Sequence, residues 1–262
     1  MLVWLGLGLI FMAGAELTNE LAFSVRDWFA WMPGRETRPD WRNWALGPAS
    51  VVAPEESAEP MPTLPMMLRR RVTSIGQKAV GAALACQGAS SARYVVASRH
   101  GEYDRTVAIF TSLAEEEAPS PAEFSMSVHH GLAGLLSIHT ANRLGHVAIS
   151  AAQDSFAFGM MEAALCLAED PATPVLLIYY DPPLPDAYDR FRAASEAELP
   201  TVLALLMEAA HEPRISFQWQ PTKPNPALTD SQALRFLRWH LSGAPQAECR
   251  GERMIWRWSR VH

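Results

Sequence analysis

Apolar runs of two kinds, alternating and continuous, are separated along this chain by stretches of helical periodicity, and together they predict its elements in order. The alternation in Leu21-Ala-Phe-Ser-Val-Arg-Asp-Trp28-Phe-Ala-Trp31 predicts a strand, and Pro33-Gly34 predicts the turn that ends it. Pro48, Pro54, Pro60, Pro62 and Pro65, set among acidic residues, predict a loop over 48–65. Apolar spacing predicts a helix over 68–86 that opens on Arg69-Arg70-Arg71, then a strand over 94–98 and a helix over 106–113 ended by Glu115-Glu116-Glu117. A helix over 132–144, a strand over 146–150, an amphipathic helix over 156–168 and a buried strand over 175–180 follow, the last stopped by Asp181-Pro182-Pro183. The run 201–210 is apolar throughout and fits either a strand or a helix. Beyond it the pattern predicts a strand over 214–219, a helix over 230–241 and a last strand over 253–258, with Met254, Trp256 and Trp258 on one face.

Strand, helix and strand between residues 146 and 180 make a βαβ unit, which implies a parallel pair with a right-handed crossover. No internal repeat is visible, and the fold class is α/β.

Composition narrows the class further. A chain of 262 residues with 49% hydrophobic and 19% charged positions has the make-up of a globular domain. A net charge of −6 argues against nucleic acid, which needs a basic footprint. Cys86, Cys166 and Cys249 are odd in number and form no Cys-x-x-Cys pair. They read as reduced thiols in a cytoplasmic protein, with no zinc site and no disulfide framework. Residues 1–20 form an apolar leader whose first fifteen positions carry no charge. That stretch is shorter than the roughly 20 residues of a membrane span and lacks the positive start of a secretory signal. A start placed too early, with the true beginning near Leu17, ranks ahead of a weak anchor and of a signal peptide.

The chemistry concentrates at Ser150-Ala151-Ala152-Gln153-Asp154-Ser155, between the predicted strand 146–150 and the helix that follows. The stretch 125–180 resembles the core of the ketoacyl synthase family, in which a Ser-Thr-Ala-Cys-x-Ser motif sets the nucleophilic cysteine at a strand-to-helix turn. In that register Gln153 stands in the cysteine's place, and Glu162-Ala163-Ala164 matches a small-residue turn of the following helix. The resemblance extends to Phe23-Ser24-x-x-x-Trp28-x-x-Trp31-x-Pro33-Gly34, to Ala97-Ser98-Arg99-His100-Gly101-Glu102 and to Phe124-Ser125-x-Ser127-Val128-His129. These segments are similar to short ketoacyl synthase-like, N-terminal domain proteins of aryl polyene type gene clusters. The implied architecture is thiolase-like: the N-terminal half of a ketosynthase fold, in α/β/α layers, with residues 21–262 as one domain.

A thiolate at a helix N-terminus attacks an acyl thioester, whereas the Gln153 amide offers only hydrogen bonds. The family's two catalytic histidines lie in a second half, well over a hundred residues past the cysteine, and this chain runs only to residue 262. His211, His240 and His262 do not sit in the family's His-Gly-Thr-Gly-Thr type of motif. The resemblance therefore implies no catalytic residue, no cofactor and no metal in this chain. It implies a chain-length-factor-like subunit in fatty acid or polyketide biosynthesis, paired as a heterodimer with a full-length ketosynthase and meeting acyl carrier protein through that complex. Residues 146–150 would then form the interface strand, with His146 and Ile149 in it. His129, Phe156 and Phe158 would border the acyl tunnel, beside Ser150, Asp154 and Ser155. A malonyl-carrier-protein decarboxylase using Gln153, and a stand-alone carrier-protein binding module, are the alternatives.

Other polar clusters read as structural. Ser98-Arg99-His100-Gly101-Glu102 is an alternative active site with His100 as base, ranked behind a turn-fixing role. His129-His130 lacks carboxylate or cysteine at ligand spacing, and no serine lies in a Gly-x-Ser-x-Gly elbow. Cys166 reads as a core residue, and Trp28, Trp31, Trp41 and Trp44 as a cap on the core that a partner covers in part. The Arg69-Arg70-Arg71 triple reads as a solvated face, with docking of an acidic carrier protein as the sharper alternative.

Overall fold

Strands whose apolar residues run without a break are those that both faces of a sheet bury, and the computed structural model places the two longest such runs side by side in its middle. It describes residues 19–47, 61–192, 199–223 and 231–261. The apolar leader lies outside these but for its last two residues, as do most of the predicted loop 48–65, Asp230 and His262.

The chain order is β1 (Glu20–Trp31), α1 (Arg38–Leu46), α2 (Met66–Arg69), α3 (Ser74–Ala85), β2 (Arg93–Ala97), α4 (Tyr103–Ala114), α5 (Pro121–Ser127) and α6 (His130–Thr140). It continues through β3 (His146–Ile149), α7 (Ser155–Glu169), β4 (Val175–Asp181), β5 (Thr201–Ala209), β6 (Arg214–Pro221), α8 (Gln232–Ser242), β7 (Gln246–Arg250) and β8 (Met254–Val261). All the strands join one sheet in the order β3-β2-β4-β5-β1-β6-β8-β7. The β3, β2 and β4 strands are mutually parallel, and every later pairing is antiparallel.

Alternate residues of the central strands feed two cores. On one face Val175, Leu177 and Tyr179 of β4 and Leu203, Leu205 and Met207 of β5 pack with α7 and α8. On the other, Leu176, Ile178 and Tyr180 meet Val202, Ala204 and Leu206 together with α3 and α6. The result is a mixed α/β fold, as the sequence pattern predicts, in the α/β/α layers that the family resemblance implies. In β1 the faces change phase, with Phe23 and then Trp28 and Ala30 in the same core, because a bulge falls between Val25 and Asp27. Trp41 is fully buried, and its indole N–H donates to the Ala30 carbonyl at 2.8 Å.

Three expectations need correction. The predicted helix 68–86 is broken into α2 and α3, because Thr73 leaves the helical region and its hydroxyl accepts from the Gly76 N–H, capping a new helix. The predicted helix 132–144 stops at Thr140, where Ala141 turns left-handed at φ 54°. The parallel pair read from the βαβ unit is not adjacent, since β2 inserts between β3 and β4 and pairs with both. The undecided run 201–210 is strand β5.

Candidate functional site

Strand β3 runs out at Ile149 into a tight turn, and α7 starts at Ser155. Ala152 sits at φ 49°, a region that costs a residue with a Cβ on the order of 1 kcal/mol. Hydrogen bonds hold it there: the Ser155 hydroxyl accepts from the Ala151 N–H at 2.9 Å and donates to the Ala152 carbonyl at 2.7 Å. The Ser150 hydroxyl donates to the Arg99 carbonyl at 3.1 Å, tying the turn to the end of β2. Gln153 rides on this turn, half-buried, and its buried side-chain oxygen has no hydrogen-bond partner among the described residues.

The neighbouring Asp154 is 3% exposed and collects four donors. Its Oδ1 accepts from Gln232 Nε2 and from Trp256 Nε1 at 2.9 Å, and its Oδ2 from the backbone N–H groups of Glu252 at 3.0 Å and Arg253 at 3.3 Å. A Cβ on Gly251 would fall 1.7 Å from Oδ1, so only glycine lets the backbone pass. Asp154 thus ties the turn to α8 and to the β7–β8 hairpin.

A second polar cluster closes the end of β2. The Ser98 hydroxyl accepts from the Gly101 N–H at 2.8 Å, and the His129 ring packs so close to Gly101 that a Cβ there would lie 2.9 Å from it. Burial holds His129 below the usual imidazole range, helped by the charges of His130 and His100 and opposed by a hydrogen bond with the Ser98 backbone. Burial also pushes the Glu102 carboxyl up, against the pull of hydrogen bonds and of Arg105. Arg105 reaches Glu102, Glu123 and the Arg71 carbonyl, joining α4, α5 and the segment before α3.

The turn therefore gathers Ile149, Ser150, Gln153, Asp154 and Ser155, with Phe158 one helical turn beyond. His146 lies at the far end of β3, its ring 5.3 Å from that of His130, and burial lowers its pKa. His129 belongs to the second cluster. Phe156 is 1% exposed and faces the core, edge-on to Tyr179 at 5.4 Å. Sequence reasoning missed the partners of Asp154. It also missed the buried Glu102–Arg105 pair, for which the Glu-x-x-Arg spacing was the available signal. Among the described residues, no group of three or more His, Cys, Asp or Glu side chains gathers to hold a metal ion, and no helix is long and apolar enough to cross a membrane.

Layered helices on a central mixed sheet, with a strand-to-helix turn at the end of a parallel strand, define a thiolase-like ketosynthase fold. The chain belongs to the beta-ketoacyl synthase family, whose description "Beta-ketoacyl synthase, N-terminal domain" matches residues 41–259. Among solved structures it is similar to a chain of the ketosynthase ApeO in complex with its chain length factor ApeC from Xenorhabdus doucetiae. That likeness has 31% identity, covers 92% of this chain and 100% of that one, and has a TM-score of 0.78. The ishigamide ketosynthase/chain length factor matches at 13% identity over 77% of this chain and 67% of that one, with a TM-score of 0.55. A chain of the AntDE:AntF structure, a type II PKS acyl-carrier protein in complex with its ketosynthase, matches at 10% identity over 92% and 100%, with a TM-score of 0.65. At these lower identities the likeness is one of fold. Curated protein sequences give no match.

Proposed function

We propose that this chain is a non-catalytic, chain-length-factor-like subunit that pairs with a full-length ketosynthase in fatty acid or polyketide biosynthesis of the aryl polyene type. One observation carries the reading. Among the described residues β3 pairs on one side only, with β2, and its outer edge leads directly into the turn that bears Gln153. Ile138, Leu144 and Leu165, 76%, 48% and 47% exposed, lie on the segments flanking β3. An unpaired edge with apolar flanks invites aggregation unless a partner covers it. Gln153 supplies no thiolate, so no acyl-enzyme forms on it. The likeness to a chain of the ApeO–ApeC complex, matched over its full length, supports such a pairing.

In the pair, residues 21–262 act as one ketoacyl synthase-like domain. His146 and Ile149 meet the partner, Phe158 and His129 border the acyl tunnel, and Phe156 backs that wall from the core. The carrier protein reaches the pair through the ketosynthase. The buried free thiols of Cys86, Cys166 and Cys249 suit a cytoplasmic site of action.

Condensation by the reconstituted pair tests the reading. With Gln153→Ala the pair keeps its rate within about threefold. A loss of about a hundredfold or more, the scale of a general acid or base, would mean that Gln153 takes part in the chemistry. Carbon dioxide release from malonyl-carrier protein by this chain alone would favour the decarboxylase instead.

A further inference from the structure

Beside the open edge of β3 lies a groove of about 260 Å³, walled by Ile149 and Ala151 on the strand side and by Phe158, Met161 and Leu165 of α7, with Glu162 on its rim. The Phe158 ring packs edge-on against Trp256 at 5.1 Å, and Trp256 is itself held by Asp154, so the floor is rigid. The walls are apolar apart from the Ser150 hydroxyl and Glu162. Among the described residues no Lys, Arg or His pairs with Glu162, whose one hydrogen bond comes from the Cys166 thiol at 3.8 Å. A preformed apolar slot with one unpaired carboxylate at its lip, alongside unpaired backbone, has the form of a site for an added strand. Backbone bonds give such contacts affinity, and pockets for alternate side chains give them specificity.

We propose that this groove anchors the partner ketosynthase: it takes one bulky apolar side chain from the partner's strand, while an Arg or Lys nearby on that strand meets Glu162. The inference rests on the heterodimer reading and adds the residues that select the partner. Because Ala151 belongs to the wall, the seated side chain also braces the turn that carries Gln153.

Titration calorimetry of the chain against the ketosynthase of the same genome, at low and high salt, tests this. Leu165→Glu weakens the complex at least tenfold, since an apolar anchor is replaced by a charge facing Glu162. Glu162→Gln weakens it roughly three- to tenfold at low salt and flattens the salt dependence. Both positions lie on the outer side of α7, and the melting temperature of each variant alone stays at the wild-type value. If the wild-type pair binds and both variants bind equally well, the groove is not the anchor, although the heterodimer stands. If the wild-type pair fails to associate while both chains are folded, the heterodimer reading and the groove fall together. Self-association of the chain that Leu165→Glu abolishes would assign the groove to a second copy and overturn the proposal.

Discussion

Replacing Asp154 by Asn changes one atom and leaves volume and backbone alone, yet it should be among the most damaging conservative substitutions in the chain. Each carboxylate oxygen accepts two donors: Oδ1 those of Gln232 and Trp256, Oδ2 the N–H groups of Glu252 and Arg253. An amide has one acceptor oxygen, and its NH₂ in the other position meets two donors head-on. If the oxygen stays with Gln232 and Trp256, which are 5% and 0% exposed, the two backbone groups lose their acceptor. Arg253 is exposed and finds water, whereas Glu252 is half-buried. An unsatisfied buried donor costs about 1–3 kcal/mol, and donor–donor repulsion adds to that, so we expect a loss of about 3 kcal/mol. At about 2–4 °C per kcal/mol for a chain of this size, the melting temperature should fall by roughly 6–12 °C. Urea unfolding followed by tryptophan fluorescence reads the loss directly. Hydrogen exchange should show the β7–β8 hairpin opening first. A change below about 1 kcal/mol, with the hairpin still protected, would refute the claim that Asp154 clamps the turn to the C-terminal strands.

Two further outcomes concern the core. Gly159→Ala puts a Cβ 2.6 Å from the Ala97 Cβ, where overpacking costs about 1–3 kcal/mol and the better helix former returns up to about 1 kcal/mol. A net loss of about 1–2 kcal/mol in urea unfolding is expected, and a gain would show that α7 can move off the sheet. His240, stacked on Phe236 at 8°, is pushed down to about 4 by burial, with Arg260 adding to the shift. Its unfolded value is about 6.5, so the unfolded chain binds the extra proton between these limits. The contribution of His240 is therefore without penalty above pH 6.5 and lowers stability by up to about 3 kcal/mol as the pH drops towards 4. His240→Phe should flatten that slope in unfolding curves taken from pH 7 to 4.5.

Legibility in the sequence followed the range of the interactions. Strand β4 announced itself because burial on both faces leaves only apolar residues in Val175-Leu-Leu-Ile-Tyr-Tyr180, whereas the same unbroken apolar run left β5 open to either a strand or a helix. Strand β7 was missed for the opposite reason: Gln246–Arg250 is an outer, largely exposed strand with no apolar alternation to read. Helix α1 was missed although Thr37 and Asp40 form a capping box with Pro39 in the first turn, a purely local signal. The break between α2 and α3 was equally local, in the Thr73 cap, but the apolar period runs through it. At the site, the turn with Gln153 was visible through its motif. The clamp on Asp154 was not, because Gln232 and Trp256 lie 78 and 102 residues away and no spacing rule links them. The groove by β3 is likewise a property of packing, assembled from a strand end and one face of α7.

The pairing itself is tested most directly by native mass spectrometry of this chain co-expressed with the full-length ketosynthase of the same genome. The account predicts a one-to-one complex that survives purification. A soluble, monomeric chain that forms no complex with that ketosynthase would contradict it.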